Sequence, residues 1–512
     1  MDKQRALPPM DSGLLPRGLK RAIALIRADF RRAWTVHELA AACGLARRTM
    51  QTQFRSFTGV APLEFLRLTR LAEARRQLLR AEPAATVTSI SCSSGFTHLG
   101  RFAGWYRERY GESPSATLDK ARQFDEAISP PTLLPQLDRP SIAVLPFDLI
   151  GPAAASAIAL QDEIAAALCA TRWFSVLDPS QARYHLRGKV RDDGNGRLHF
   201  AVVLLDKAGE RYLFADTWGG EVGELFGFED RLANRLASAL RTPVRDAEIA
   251  RARRRDPAQL TAWELSMRAL GSLMLAERLM PGTTLELLEE AMELAPQDPL
   301  PIALAAWCHS VRASHHQTSR PDDERWAASQ LAARAGPLTN HDPAVETMLC
   351  TAYTLAQELD AASILADRAL NDDPGLSWAW GRSAWIHVYR GKPTIAIERF
   401  NIALALAPRD PLRYLWSMGI ASAHFDAARY REAVRWSRRA LIEQPRATTI
   451  HRLLAPSCVF ADAKQEAQQS FDQIKRCLPG LTVGEVTAAL PLTSDHLDRR
   501  AEGLEHLGMR LS

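Results

Sequence analysis

Cysteine is scarce in this chain: seven in 512 residues, with no Cys-x-x-Cys pair. Cys43, Cys92, Cys169, Cys308, Cys350, Cys458 and Cys477 lie far apart. That spacing speaks against a disulfide framework or a zinc site and fits reduced thiols in a cytosol. No run of about 18 apolar residues occurs, so no membrane span is expected. The opening MDKQRALPPMDSG has no apolar core, so no secretory leader is read and a cytoplasmic location is expected. A nucleophile elbow, a Walker loop and paired metal carboxylates are all missing. The chain is therefore expected not to be an enzyme and to hold no metal or cofactor. Apolar residues are not lacking. The hydrophobic fraction is 46% and the charged fraction 24%, ordinary for a globular chain, which excludes wholesale disorder and collagen. At about 100–200 residues per domain, the length implies three or four units.

Acidic charge is short at one end only. Residues 1–125 carry 21 Lys and Arg against 11 Asp and Glu, a net +10, while the remainder carries 43 against 48, a net −5. A basic head on a near-neutral body suggests a nucleic-acid-binding element. A solvated basic surface has the same charge, so the residue pattern must decide.

The pattern from 17 to 125 is helical with short breaks. Thr35 and Glu38 have capping-box spacing. Leu39, Ala40 and Ala42 give a small apolar face, Cys43-Gly44-Leu45 breaks it, and a new helix begins near Ala46. Helix, tight glycine turn, helix is the helix-turn-helix plan, whose second helix enters the major groove. Leu45, Met50, Phe54 and Phe57 are expected to lock that helix to the first. Its other side carries Arg47, Arg48, Gln51, Thr52 and Arg55. Arginine suits guanine O6 and N7, glutamine suits adenine N6 and N7, and the rest suit phosphates.

The plan recurs. Thr86–Ile90 starts a short helix, Ser94-Gly95-Phe96 turns, and a second helix runs from about His98 to Tyr110. Gly44 to Gly59 is 15 residues and Gly95 to Gly111 is 16. A helix from Pro62 to about Leu79 joins the two units, with Leu66, Leu68, Leu71, Leu78 and Leu79 as its core. Proline is well placed at its start. Two reading heads on such a spacer suit successive major grooves on one face of DNA.

The run ELAAACGLARRTMQTQF, then TGVAPLEFLRLTRLAEARRQLL, then SISCSSGFTHLGRFAGWYRERYGESP resembles the DNA-binding domain of AraC/XylS-type transcription regulators over about 105 residues. The resemblance implies base and phosphate contacts by both recognition helices. It points to Arg47, Arg48, Gln51 and Thr52 in the first and His98, Gly100 and Arg101 in the second. Ala46 stands where that family usually has a Ser N-cap, and Thr52 and Gly104 where an Arg is common. The implied partners are double-stranded DNA and RNA polymerase.

Pro130, Pro131, Pro135 and Pro140 mark 126–139 as a stiff linker. A strand follows at Ser141–Phe147, then a helix near 156–171 with Leu160, Ile164 and Leu168 in register. Phe174–Leu177 is a short strand. His185–Arg191 and Leu198–Asp206 read as a hairpin around Asp192–Gly196, which lacks the closing Glu of a calcium loop. Tyr212–Trp218 is the next strand. Phe228, Leu232, Leu236 and Leu240 define a closing helix. His185 and His199 are read as surface or satisfied core. PSIAVLPF, FSVLDPSQARYHLRGKVR, HFAVVLLDKAGERYLFADTW and GFEDRLANRLASAL resemble the TolB-like domain over 140–245.

Arg251–Arg255 reads as a solvated helix end. Beyond about 257 the chain repeats. Ala328/Ala332/Ala335, Ala362/Ala366/Ala369, Ala396/Phe400/Ala403 and Ala433/Ser437/Ala440 stand at matching positions. The markers Asn340, Pro374, Pro408 and Pro445 are spaced 34, 34 and 37 residues. A period of about 34 with small residues at fixed places resembles tetratricopeptide repeats over 257–480. An earlier unit ends at Pro296, and the longer gap to Asn340 is read as a loop insertion at His315–Pro321. Such solenoids offer a groove to a protein or peptide partner. Trp378, Trp380, Trp385 and Trp416 are read as inter-helix core, and the adjacent His315-His316 is not read as a metal pair. Residues 481–512 are a capping helix or a tail, as 1–16 is at the other end.

The fold class expected is multidomain: an all-α double helix-turn-helix head, a small α/β middle domain and an α-helical repeat solenoid. The function expected is a sequence-specific transcription regulator whose C-terminal regions sense a partner or ligand. The competing reading is a protein-interaction scaffold with the head as an anchor only.

Overall fold

The computed structural model describes residues 16–80, 85–126, 139–151, 158–171, 173–192, 197–208, 211–221, 228–275 and 283–511. The expected N-terminal tail, most of the proline linker and the tip of the Asp192–Gly196 turn lie outside the described residues. The chain forms two compact units, residues 1–129 and 130–512.

The described residues of the first unit form seven helices: α1 (Arg17–Ala28), α2 (Val36–Ala42), α3 (Arg47–Thr58), α4 (Pro62–Arg80), α5 (Val87–Ser93), α6 (Leu99–Tyr110) and α7 (Pro114–Glu126). Helix α4 feeds two separate cores. Phe65 and Leu66 at its start join Leu19, Ile26, Leu39, Met50 and Phe54. Leu71, Ala74 and Leu78 further along join Ile90, Phe96, Phe102, Tyr106 and Leu118, with Leu68 only partly buried beside them. A helix of 19 residues spans about 28 Å at 1.5 Å per residue, enough to carry both cores in sequence.

The second unit opens on a sheet. Its strands are β1 (Ser141–Val144), β2 (Asp148–Ile150), β3 (Ser175–Val176), β4 (Tyr184–Asp192), β5 (Arg197–Asp206) and β6 (Arg211–Glu221). The order is β3-β1-β4-β5-β6, with β2 also on β4. Strand β1 runs parallel to β3 and β4, and β4-β5-β6 is an antiparallel meander. The first strand stops at Val144, three residues short of the expected Phe147. Along β4 burial alternates, with Tyr184, Leu186 and Val190 inward and Arg187, Lys189 and Arg191 outward. That alternation is how an antiparallel sheet covers one face and leaves the other in water. Helices α8 (Ile158–Ala170) and α9 (Phe228–Arg254) follow the expected positions, and Ile164, Leu168, Leu236 and Leu240 are buried.

Helix α9 runs further than its leucine period suggested, with Pro243 inside it. Its distal half is held by buried carboxylates. Glu248 accepts from the Tyr184 hydroxyl at 2.5 Å and the Trp263 indole at 2.8 Å, and pairs with Arg183 and Arg251. Glu264, fully buried, pairs with Arg251 and Arg255 at 2.9 Å. The run Arg251–Arg255 is therefore not simply a solvated helix end. Two of its arginines neutralise interior glutamates, a partnership between residues up to 13 apart that a local charge count does not reveal.

Helix pairs follow: α10 (Ala262–Leu275) with α11 (Thr283–Leu294), α12 (Pro299–Ser314) with α13 (Pro321–Ala335), and α14 (Pro343–Leu355) with α15 (Leu359–Asp372). Then come α16 (Ser377–Tyr389) with α17 (Pro393–Leu406), α18 (Arg413–Asp426) with α19 (Tyr430–Glu443), and α20 (Thr448–Phe460) with α21 (Lys464–Cys477). Every small residue that defined the period is buried on the second helix of its pair. Close approach explains the pattern. A Cβ on Gly381 would lie 2.4 Å from the Trp416 ring, and the Ser377 hydroxyl donates to the Ala403 carbonyl at 2.9 Å. Trp378, Trp385 and Trp416 are buried; Trp380 is half-buried and donates to the Pro374 carbonyl. The extra length before Asn340 is shared between a loop at 315–320 and a 3₁₀ turn at Gly336–Leu338.

Residues 481–511 are no loose tail. Helices α22 (Val483–Ala488) and α23 (Ser494–His506) pack Val483, Val486 and Leu504 against Ala455, Phe471 and Ile474 of the last pair. The segment between them reaches back to earlier pairs, where Arg325 and Gln357 both donate to the Ala488 carbonyl. At the opposite ends of the repeats, α9 is docked by Arg241 on Asp373, Ser238 on the Gly375 carbonyl and Arg245 on Asp410.

Candidate nucleic-acid interface

Two turns set the site. Thr35 caps α2 through a reciprocal box with Glu38, as its spacing implied, and Thr86 caps α5 with Ser89 in the same way. Each short helix ends on a glycine turn, Gly44 and Gly95, with φ of 66° and 84°. Each second helix ends on a left-handed glycine, Gly59 and Gly111, whose N–H bonds to Arg55 and Arg107 carbonyls. Such left-handed caps are the standard way for a helix to stop with its carbonyls satisfied. Both recognition helices begin without a side-chain cap, at Ala46 and His98.

On α3, Met50 and Phe54 are buried and fix the helix to the core. Phe57 was expected beside them but is 42% exposed. Thr58 takes the interior place instead, its hydroxyl donating to the Phe54 carbonyl at 2.7 Å. The hydroxyl thereby satisfies itself on the last turn, so a polar side chain closes the core without an orphan group.

Arg47, Arg48, Thr52 and Arg55 are exposed and Gln51 is half-exposed. Arg48, Thr52 and Arg55 follow i, i+4, i+7 spacing and so share one face, with Arg47 and Gln51 beside it. On α6 the exposed stripe is Gly100, Arg101, Gly104 and Arg107, with His98 at its start. Arg107 was not singled out from the sequence; its i+7 relation to Gly100 is the signal that would have found it. Arg48, Thr52 and Arg55 lie away from the buried Met50, Phe54 and Thr58 of α3, and Gly100, Gly104 and Arg107 away from the buried Phe102 and Tyr106 of α6, whereas Arg47, three residues before Met50, and His98, four before Phe102, stand at the first turns on the buried side.

Charge pairing separates these arginines from several others of the unit. Arg32, Arg67, Arg75 and Arg76 are tied to Glu38, Glu64, Glu112 and Glu73. Arg70 donates to three carbonyls, at Phe30, Arg31 and Arg32, and so fixes the α1–α2 turn to α4. Among the described residues, Arg47, Arg48, Arg55 and Arg101 have no ion pair. Unpaired exposed guanidiniums on one helix face are available to phosphate or base edges.

The two glycines of α6 are unusual. A Cβ at Gly100 or Gly104 would meet nothing within 4 Å, and neither position has a left-handed φ. Inside a helix, glycine is worse than alanine by about 0.8–1.0 kcal/mol. No contact among the described residues explains that loss.

Among the described residues no group of three or more His, Cys, Asp or Glu is placed to hold a metal ion, and no helix is long and apolar enough to cross a membrane. His199 is exposed, and His185 bonds to the Pro179 carbonyl at 2.9 Å.

Residues 39–120 match the family model described as a helix-turn-helix domain. Over 105 residues the chain is 38% identical to the "Probable thc operon regulatory protein" of Rhodococcus erythropolis, covering 20% of this chain and 32% of that one. Over 102 residues it is 32% identical to the "XylDLEGF operon transcriptional activator 2" of Pseudomonas putida, covering 19% of this chain and 64% of that one. Among solved structures, "a probable AraC family transcriptional regulator" from Rhodopseudomonas palustris is 33% identical, with 21% of this chain and 98% of that chain covered and a TM-score of 0.20. The chain spans about a third of the first relative's length and under two thirds of the second's.

Proposed function

We propose, on the premise of the AraC/XylS-type helix-turn-helix domain that the family model over residues 39–120 and the relatives support, that this chain reads duplex DNA through α3 and α6 and regulates transcription. The repeat-bearing unit then couples DNA binding to a ligand or a protein partner. The reading rests on one observation above all: two exposed recognition helices, set by matching glycine turns on one connecting helix, carry arginines that make no ion pair among the described residues.

In this reading Arg48 and Gln51 reach base edges, where bidentate geometry selects guanine and adenine. Arg47, Thr52 and Arg55 hold phosphates and set the helix in its groove. His98, Gly100 and Arg101 bring the second helix against the next groove. RNA polymerase contact belongs to the same proposal, as a consequence of a bound regulator at a promoter.

Selection of random duplex DNA by the full chain at two salt concentrations tests it. The expected result is an enriched motif whose affinity falls steeply with salt. Arg48→Ala or Gln51→Ala is expected to weaken that binding by about 1–3 kcal/mol and relax choice at one position. Absence of any enriched motif removes the DNA-reading role and leaves the scaffold reading.

A further inference from the structure

Inside the repeats lies a cavity of about 80 Å³. A single water needs about 10–15 Å³ of such space, so there is room for several waters or one compact acid. Its walls come from helices far apart in sequence. Leu273, Val311, Met418, Leu490 and Leu492 give apolar surface, and Trp307, Trp385, Tyr389 and Tyr414 give aromatic surface. Three arginines also line it: Arg382 from α16, Arg452 from α20 and Arg500 from α23.

Each of these arginines is more than nine-tenths buried, at 8%, 6% and 7% exposure. Among the described residues none has a carboxylate within ion-pair distance. Arg382 lies between the Trp307 and Trp416 rings, 5.5 and 5.4 Å from their centroids. Arg452 has one long contact, 3.4 Å to the Ser314 carbonyl. Among the described residues the Nε of Arg500 has no hydrogen-bond partner. Burial, and for Arg452 the neighbouring Arg500 charge, pull both of these guanidiniums down to about 10. All three line the same cavity as Tyr389, whose hydroxyl feels each of their charges.

Buried arginines elsewhere in this unit are paired. Arg245 holds Asp410 and Asp246, and Arg139 holds Asp342. An ion taken out of water without a counter-charge is strongly disfavoured, and two like charges side by side are worse. An anion entering the cavity offsets that cost. We propose that this cavity is a binding site for a small organic carboxylate with an apolar body, its carboxylate held by Arg382, Arg452 and Arg500. Guanidinium forks match a carboxylate in two-point geometry. The apolar and aromatic walls suit a hydrocarbon body rather than a fully hydrated anion. The end of the chain closes the site, since Leu490 and Leu492 lie just beyond the Ala488 carbonyl that Arg325 and Gln357 hold. That closure, with α9 docked at the opposite ends of the helix pairs, leaves space for a small molecule.

This assignment makes no use of the DNA-reading proposal, and its test contains no DNA, so the two fail separately. Full-length protein is titrated calorimetrically with hexanoate, phenylacetate, succinate and inorganic phosphate, each against chloride at equal ionic strength, and thermal melting is followed in parallel. Hexanoate or phenylacetate is expected to saturate and raise the melting temperature. Arg452→Met is expected to weaken that binding at least tenfold and to raise the melting temperature of the ligand-free protein, because it removes an unpaired buried charge. A purely structural arginine does the reverse and lowers it. Arg452→Lys keeps the charge and loses the fork, and is expected to bind more weakly than the parent. Binding of succinate or phosphate alone, binding of neither apolar acid, or unchanged affinity in both variants overturns the proposal.

Discussion

Gly44 and Gly95 hold the same left-handed backbone position in the turns that precede α3 and α6, yet their surroundings differ. Around Gly44 a Cβ would meet nothing within 4 Å; at Gly95 it would lie 3.0 Å from the Arg70 Nε and 3.2 Å from the Arg31 Cα. Gly44→Ala thus meets only backbone strain, about 1–2 kcal/mol. Gly95→Ala also presses on the guanidinium that ties α4 to the α1–α2 turn, and is expected to cost more. Hydrogen exchange of peptides covering 36–58 and 87–110 in the full chain checks this. Equal loss of protection in the two variants would show that the Arg70 contact is irrelevant.

The exposed glycines of α6 offer a second measurement. Gly100→Ala and Gly104→Ala are each expected to stabilise α6 by about 0.8–1.0 kcal/mol, since the added methyl meets open space. If α6 lies against DNA as proposed, the same methyls weaken DNA binding. Slower exchange of α6 amides with reduced affinity is the expected pair of results; slower exchange with unchanged affinity would remove α6 from the interface.

Glu248 links the sheet, α9 and the first repeat helix. Burial pushes its carboxyl up, but the Arg183 and Arg251 guanidiniums and the bond from Tyr184 outweigh burial and hold it below the ordinary range. A carboxylate depressed in the folded state contributes stability that is present above its unfolded value, near 4.3. That contribution is lost as pH falls through the lower folded value. Glu248→Gln is expected to cost about 3 kcal/mol by removing the buried negative charge that Arg183 and Arg251 face, and to flatten the acid limb of the stability curve. A variant with unaltered acid sensitivity would count against this account.

Histidines set a second, higher pH window. Burial lowers His315 and His496 to about 4, against an ordinary value of 6.5. Both are neutral when folded. The unfolded chain takes up their protons first, so the stability they allow is full above pH 6.5 and falls towards pH 4. The second unit is expected to lose thermal stability across that interval, and His496→Gln to lose less of it. Melting curves between pH 7 and 4.5 decide the matter; flat behaviour in the parent would mean these rings are reached by water.

Much of the head was legible because its signals are local. A capping box spans three residues, a turn glycine needs no partner, and an apolar line on a helix repeats every three or four positions. The repeats were legible for the related reason that alanines must recur wherever helices approach closely. Phe57 was misjudged because the end of a helix allows a threonine to satisfy itself and displace an aromatic ring, which periodicity does not register. The Arg251–Arg255 run was misjudged because charge counts carry no information on what lies across the fold.

What the sequence determined by itself was therefore the set of elements and the face each presents: two helix-turn-helix plans, an alternating sheet, and paired helices with small residues inside. Tertiary structure alone decided which charges meet. It set Glu248 and Glu264 among arginines at the end of α9 and just before β4, docked α9 on Asp373 and Asp410, and brought Arg382, Arg452 and Arg500 around one cavity without a carboxylate among its described lining residues. Hydrophobic patterning is short-range and periodic, so it survives in one dimension. Electrostatic partnership acts through space between residues far apart along the chain, and only the folded chain brings them together.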